Sequence, residues 1–331
     1  MELSPKLSSL LKNKRNLLAF SAGVDSSALF FLLLEHNIAF DIALVNYGLR
    51  QQANEEEAYA LELSKKYTIK VHIAHAPKFK NNFEKNARDF RYAFFDRLMS
   101  DYDNLLTAHQ LNDQLEWFLM RLTKGAGVYE LMGLEEVSQR KDYNVIRPLL
   151  QYSKEELLEY LKSHNHRYFV DQSNFEPCYE RNIFRERFSN ELLESYSEGI
   201  KRSFNYLKED KEALNSGIKE LFHHKELFII GYKYSYQIPR VVDQYLKKLG
   251  YILSASQREE LKSKTSIVFG GKWAVEIKED KIFIAPYSTE AMPKRFKEQC
   301  RVAKIPSKVR PYLFREGIDI NLINKPQQTP P

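Results

Sequence analysis

Cysteine is nearly absent: the 331 residues hold two, Cys178 and Cys300. That excludes a disulfide scaffold and a four-cysteine zinc site, and it fits a reducing cytoplasm. Long apolar runs are missing as well. The longest, Ala28 to Leu34, falls far short of the roughly 20 residues that a membrane-spanning helix needs. Met1 to Lys14 has no apolar segment and no small-residue cleavage pattern, so no signal peptide is expected. There is no Walker A pattern, no Gly-x-Gly-x-x-Gly and no internal repeat. Neither a P-loop NTPase nor a dinucleotide enzyme is supported.

What remains is an ordinary globular balance, 43% hydrophobic and 28% charged, with length for two domains and a sizeable core. The net charge of +6 is unevenly spread. Residues 1–200 hold 25 basic and 29 acidic side chains, whereas residues 201–331 hold 25 and 15. Residues 291–315 carry Lys294, Arg295, Lys297, Arg301, Lys304, Lys308, Arg310 and Arg315 against one acid, Glu298. Phe296, Tyr312 and Phe314 are interleaved. Cations on phosphates with aromatic stacking suit RNA, while a solvated charge run over a few core aromatics is the plain alternative.

Short β-rich runs alternate with helical patterns in the first part. Strands are predicted at Asn16–Phe20, Phe40–Asn46, Ile69–Ala74, Asn104–Thr107 and around Val145 and Ile146. Helices are predicted at Ser26–His36, Ala53–Lys66, Asn82–Ser100, Asn112–Lys124 and Ser153–Ser163, the last opened by a Ser153/Glu156 capping box. This is the pattern of an α/β fold: a parallel five-stranded sheet with helices on both faces, its ligands at the carboxyl ends of the strands. From Asn190 to about His223, Leu193, Tyr196, Ile200, Phe204, Leu207, Leu214, Ile218 and Leu221 recur at helical spacing. A long helix or helix pair is expected there, linking the first domain to a smaller helical/α+β C-terminal domain. In that domain Trp273–Ile277 and Ile282–Ile284 read as a hairpin around Lys278–Asp280. The resulting division is 1–189, a linking segment 190–225, a basic domain 226–320 and a tail 321–331.

The first strand runs into Ser21-Ala22-Gly23-Val24-Asp25-Ser26-Ser27 and then a helix. Such a loop is an anion cradle, with backbone amides and the helix dipole facing a ligand. Equally, it is a Ser/Gly turn with an Asp cap. Asp25 beside a phosphate makes sense with Mg²⁺ between them. Further on, His109, Asp113 and Glu116 are spaced to share a helix face, where they either bind metal or orient an amine, or form a solvated surface. The pairs His72/His75, His164/His166 and His223/His224 lack further ligands for zinc and read as structural or exposed.

The loop resembles the Ser-Gly-Gly-x-Asp-Ser loop of the PP-loop ATP-pyrophosphatases, with Ala22 at the first glycine. Further stretches are similar, in order, to the bacterial tRNA(Ile)-lysidine synthase branch. They are Asn46-Tyr47-Gly48-Leu49-Arg50 (Tyr47 where the family has His), Glu84…Ala87-Arg88…Arg91-Tyr92, and Ala108-His109-Gln110-Leu111-Asn112-Asp113-Gln114-Leu115-Glu116. Lys124–Gly127, Arg147–Leu150 and Asp171-x-Ser173-Asn174…Arg181-Asn182-x-x-Arg185 follow. The matches span about residues 17–187.

The resemblance implies a cytoplasmic ligase with ATP and Mg²⁺ as cofactors and CAU-anticodon tRNA(Ile) and free L-lysine as substrates. No membrane and no obligate protein partner is implied. Its catalytic residues would be Asp25, Arg88, His109, Asp113 and Glu116. Ser21, Ala22, Gly23, Val24, Asp25, Ser26 and Asn46 would bind ATP, and Asp25 and Asp113 the metal. Arg181, Arg185, Arg301 and Lys304 would meet tRNA. Arg91 is read as a surface salt bridge, and Arg50 as a substrate contact or a salt bridge. A PP-loop tRNA thiolase and a catalytically inactive tRNA-binding relative are the alternatives. The absence of a Cys-x-x-Cys pair speaks against the thiolase.

Overall fold

The computed structural model describes residues 1–48, 51–170 and 180–323. Arg50, Asp171, Ser173, Asn174 and Cys178 lie outside the described residues, as does the end of the tail. The chain divides into two compact units, Met1–Lys208 and Glu209–Pro331.

In the first unit, helix α1 (Pro5–Leu11) leads into β1 (Asn16–Ala19), α2 (Val24–Glu35), β2 (Phe40–Asn46), α3 (Gln51–Tyr67), β3 (Val71–His75) and α4 (Phe83–Leu98). Then come β4 (Asn104–Leu106), α5 (Leu111–Leu122), α6 (Val128–Leu131), β5 (Val137–Arg140), β6 (Tyr143–Ile146) and α7 (Lys154–Ser163). The strands form one sheet in the order β3-β2-β1-β4-β6-β5. The five parallel strands are the expected ones. The sixth, β5, was not expected; it runs antiparallel at the edge beside β6. Its Val-Ser-Gln-Arg lacks a β-branched run, so only pairing makes it a strand. Arg147 braces it, donating to Glu135 O at 2.7 Å and Ser138 Oγ at 2.9 Å.

Side-chain alternation splits each strand between two cores. Leu18, Leu106 and Ile146 pack with α1, α2 and α7 on one face. Leu17, Leu105 and Val145 pack with Phe94 and Phe95 of α4 on the other. Nine residues of α2 are buried, which explains why Ala28–Leu34 is apolar all round without being a membrane segment. Register is pinned by three paired asparagines. Asn104 Nδ2 donates to Asn16 Oδ1 at 2.9 Å, and Asn144 Nδ2 to Asn104 Oδ1 at 3.2 Å. A one-residue slip would break this ladder and invert every face. The strand order reverses at β1, which has β2 on one side and β4 on the other. Its carboxyl end is therefore the topological switch point where ligands bind.

Beyond α7 come α8 (Glu180–Phe184), a π-turn over Arg185–Ser189 and α9 (Asn190–Leu214), kinked at Tyr196. The helical reading to His223 is corrected here. The helix ends at Leu214, and Leu221 lies in β7 (Lys219–His224). Spacing alone did not separate an amphipathic helix from a strand edge. The second unit continues with β8 (Leu227–Gly231), α10 (Ile238–Lys248), α11 (Ala255–Glu260), β9 (Ser266–Phe269), β10 (Trp273–Lys278), β11 (Lys281–Pro286), α12 (Lys294–Val302), α13 (Arg310–Arg315) and α14 (Ile320–Ile323). The sequence placed the start of the tail at 321, but residues 321–323 belong to α14.

The five strands of this unit pair antiparallel in the order β7-β8-β11-β10-β9. The expected hairpin is β10–β11, closed where Lys278 pairs with Lys281. Phe228, Ile230, Ile282 and Ile284 pack with α10, and Ile229, Phe283 and Ala285 with α12 and α13. Cys300 is buried in the latter core. Among the described residues, no helix is long and apolar enough to cross a membrane.

The turn from β1 into α2 contains one strained residue. Ala22 has φ +58° and is fully buried. Its carbonyl accepts from Phe169 N–H at 2.9 Å and Ser27 Oγ at 3.1 Å, so the peptide cannot rotate out. A left-handed alanine costs about 1 kcal/mol relative to glycine. Glycine at 22 regains that cost and loses one buried methyl, so Ala22→Gly should unfold within about 1 kcal/mol of wild type. Ala22→Val should lose more than about 2 kcal/mol in urea unfolding, because a β-branched residue fits neither the space nor the backbone.

Candidate active site

The carboxyl edge of the sheet opens into a cavity of ≈ 490 Å³. Ser21, Gly23, Val24, Asp25 and Ser26 line one side, His109 and Thr107 the floor, and Tyr47, Arg91, Tyr92, Lys154, Phe169 and Val170 the remainder. The loop takes its shape from its own hydroxyls. Ser26 Oγ accepts from Ser21 N–H at 3.2 Å, lies 3.1 Å from Ser21 Oγ and donates to Gly23 O at 3.2 Å. Gly23 is the N-cap of α2 and no side chain caps it. The first-turn amides of α2 are thus left for an anion, with the dipole behind them. Ala22 does not line the cavity; its role is to turn the chain.

Asp25 does not cap the helix. Its Oδ1 is buried with no hydrogen-bond partner among the described residues. Burial first, and then the neighbouring Asp113 charge, push its pKa up to about 7. An unpartnered carboxyl oxygen beside a second carboxylate fits a divalent cation, which would relieve both. Among the described residues no three His, Cys, Asp or Glu side chains converge on a metal position.

His109 follows β4, its Nδ1 3.0 Å from Thr107 Oγ1. Burial pushes its pKa down to about 4, with Arg147 and Arg181 adding to the shift and Asp113 opposing it. The ring is therefore neutral at physiological pH and offers a hydrogen bond rather than a charge.

The acidic face of α5 is organised differently from the expectation. Gln110, not Asn112, is the N-cap; its Oε1 accepts from Asn112 N–H at 2.6 Å, and Asp113 Oδ2 accepts from Gln110 N–H at 3.0 Å. Glu116 is completely buried. It accepts from Arg181 Nε at 2.7 Å, Arg185 Nε at 2.6 Å and Arg185 Nη2 at 3.2 Å. Arg181 Nη2 also donates to Asp113. Both arginines thus contact carboxylates of α5, and the Arg181 side chain is 42% exposed. Arg301 and Lys304 are exposed, but each holds an acid: Glu298 at 2.6 Å and Glu279 at 2.8 Å.

Asn46 and Arg88 are placed away from the cavity wall. Asn46 is buried and absent from the cavity wall. Its Nδ2 donates to Glu57 Oε2 at 2.7 Å and its Oδ1 accepts from Gly48 N–H at 2.8 Å, so it braces the turn after β2. Arg88 is exposed and reaches over the Tyr92 ring, 5.7 Å from its centre. Arg91, one helical turn on, is the arginine that faces the cavity. Tyr47 donates to Ala87 O at 3.3 Å, and burial raises the pKa of its hydroxyl. Sequence reasoning missed Lys154 altogether. The signal was a cation at the first position of a helix, the wrong end of the dipole.

His72 rests on Tyr102 Oη at 2.8 Å and His75 on Glu57 at 3.0 Å. His166 stacks on Phe31 with ring centres 3.5 Å apart. His223 stacks on Phe228. These histidines are structural.

The raised pKa of Asp25 has a consequence for stability. The folded state holds a proton that the unfolded chain releases near pH 3.8, so this group makes folding less favourable as pH rises from about 4 to 7. Asp25→Asn removes that dependence. With chelator present and nucleotide absent, the variant should gain on wild type across this window and be more stable by more than about 1 kcal/mol at pH 8. Parallel urea titrations at pH 4.5 and pH 8 measure it; a constant difference would mean that Asp25 is ionised without penalty.

The PP-loop domain family matches residues 2–192. The chain is 45% identical over 329 residues to the tRNA(Ile)-lysidine synthase of Campylobacter jejuni (strain RM1221), covering 98% of this chain and 100% of that protein. It is 44% identical to the enzyme of the same name from Wolinella succinogenes, covering 93% and 95% of the two chains. It is 43% identical to that of Helicobacter pylori (strain 26695), covering 92% and 91%. Likeness over essentially the whole length of these synthases, with the PP-loop model matching residues 2–192, places the chain in the tRNA(Ile)-lysidine synthase family of PP-loop proteins.

Proposed function

We propose that this chain, in the cytoplasm, ligates free lysine to C2 of the wobble cytidine of CAU-anticodon tRNA(Ile), using ATP. The observation that carries the reading is likeness to synthases of that name along essentially the whole chain. In this reading the α2 N-terminus and Ser21–Ser26 hold the phosphates. Asp25 and Asp113 hold Mg²⁺, which neutralises phosphate charge when bound. The cytidine C2 oxygen bonds to the α-phosphorus as pyrophosphate leaves. The lysine ε-nitrogen then bonds to C2 as the C2–O bond breaks and AMP leaves.

The residues act by position and charge. Neutral His109 donates a hydrogen bond to a phosphate or cytidine oxygen without adding a net charge. Arg91 offsets charge at the open side. Asp113, less enclosed than Glu116, stands with Asp25 for the metal, and the attacking amine gives its proton to water. Glu116 fixes Arg181 and Arg185 and so fixes Asp113. Exposed cations of the second unit, including Arg301 and Lys304, attract the tRNA backbone.

The test follows radiolabelled lysine into tRNA(Ile) and pyrophosphate release from ATP, omitting lysine, tRNA and Mg²⁺ in turn. Incorporation needing every component, and falling at least 100-fold in Asp25→Ala while the fold is kept, is the expected result. Pyrophosphate release without lysine incorporation would indicate another nucleophile, such as sulfur. tRNA binding without any ATP turnover would indicate an inactive relative.

A further inference from the structure

The cavity holds one cation that the reaction as described leaves unused. Lys154 is the first residue of α7 and lines the cavity together with Ser21, Gly23, Asp25 and His109. Its backbone N–H is spent on Asn112 Oδ1 at 3.1 Å. Its ammonium makes no hydrogen bond or ion pair with any of the described residues. The position is electrostatically wrong for a lysine. The N-terminal turn of a helix favours anions, and Glu155 and Glu156 follow that rule where Lys154 breaks it. The Asp25 carboxylate acts on this ammonium through space without contacting it, and a local rule broken in a cavity wall with no direct partner indicates a ligand that supplies one.

The surroundings specify the charge of that ligand. Leu157, Tyr160 and Leu161 of α7 share a core with α2. Both helices follow parallel strands, so both open their N-termini on the same sheet edge. Two helix N-termini and one ammonium therefore converge on one corner, against the carboxylate of Asp25. Asp113 lies beside Asp25, but its Oδ1 is held by Arg181 and its Oδ2 by the α5 cap, so the two helix N-termini and the ammonium are left to attract a polyanion such as a polyphosphate.

We propose that Lys154 is a catalytic phosphate-binding residue that grips the β- and γ-phosphates of ATP and takes up the charge of the departing pyrophosphate. The inference rests on the adenylation reading of the same cavity. As the cytidine oxygen bonds to the α-phosphorus, the bond from that phosphorus to the oxygen bridging to the β-phosphate breaks. The electron pair stays on that oxygen. Lys154 transfers no proton; it supplies fixed positive charge where negative charge develops, which is the larger part of catalysis in such displacements. It acts on the leaving side, and Arg91 and His109 on the side of the nucleotide and tRNA.

The experiment compares wild type, Lys154→Ala and Lys154→Arg on the full chain. Calorimetry with Mg²⁺ measures binding of three probes: inorganic pyrophosphate, a non-hydrolysable ATP analogue and AMP. Pyrophosphate release in the presence of tRNA(Ile) is then measured on each protein. The expected result for Lys154→Ala is at least 10-fold weaker binding of pyrophosphate and the ATP analogue, with AMP binding within 2-fold and a lower kcat. Lys154→Arg should recover pyrophosphate binding to within about 3-fold of wild type. Unchanged pyrophosphate binding in Lys154→Ala would overturn the proposal. So would equal losses for AMP and pyrophosphate, which a merely structural residue would give. If wild type binds pyrophosphate through Lys154 yet turns over no ATP with tRNA, the phosphate site stands and the adenylation reading fails.

Discussion

Glu116 is a charged carboxylate with no access to water, and two guanidiniums make that tolerable. A lone carboxylate in such a place costs several kcal/mol; with three hydrogen bonds from Arg181 and Arg185 the cost is offset. The consequence is geometric. α5 stands at the end of β4 and carries Asp113, while Arg181 and Arg185 come from α8 and the π-turn, some 65 residues later. The clamp ties these elements together at the edge of the cavity. Asp113 keeps its position because it shares Arg181 with Glu116 and its second oxygen with the helix cap.

Around that anchor the cavity collects features that ordinary folding disfavours. Ala22 sits in a left-handed conformation. Asp25 has a buried oxygen with no partner. His109 is half-buried, and loss of hydration holds its pKa down to about 4. Lys154 stands at the positive end of a helix. Each costs stability, and all face or form one corner at the switch point of the sheet. The strain is affordable because the sheet behind is over-determined, with the asparagine ladder fixing register and both faces packed. In the proposed function, a polyphosphate with a divalent ion would meet both charged features, Asp25 and Lys154.

Much of this was legible in the sequence. Alternating apolar runs and helical periods gave the five parallel strands and the helices between them, because each strand is buried on both faces and each helix is amphipathic or wholly apolar. The loop at Ser21–Ser26 was legible because small residues between a strand and a helix have a direct physical meaning. The failures have physical causes too. β5 is made a strand by pairing with β6, not by its own residues. Leu221 keeps a helical phase by coincidence while standing in β7. Glu116 was expected to act on metal or amine and Arg181 and Arg185 on tRNA, and their mutual clamp was not legible, since no local pattern tells a free carboxylate from one that a distant pair of arginines will enclose. Arg88 and Arg91 are both on α4, and only the placement of that helix decides which one faces the cavity. Asn46 shows the converse: a polar residue at the end of β2 whose side chain is engaged by the following turn and by Glu57 of α3.

The most direct test of the clamp as the organising interaction is urea unfolding of Glu116→Gln beside wild type at neutral pH. Removing one charge leaves two guanidiniums facing an amide, so the account predicts a loss of about 3 kcal/mol or more. Unfolding at the wild-type midpoint with the same slope would contradict it, and would mean that Arg181 and Arg185 find other partners without cost.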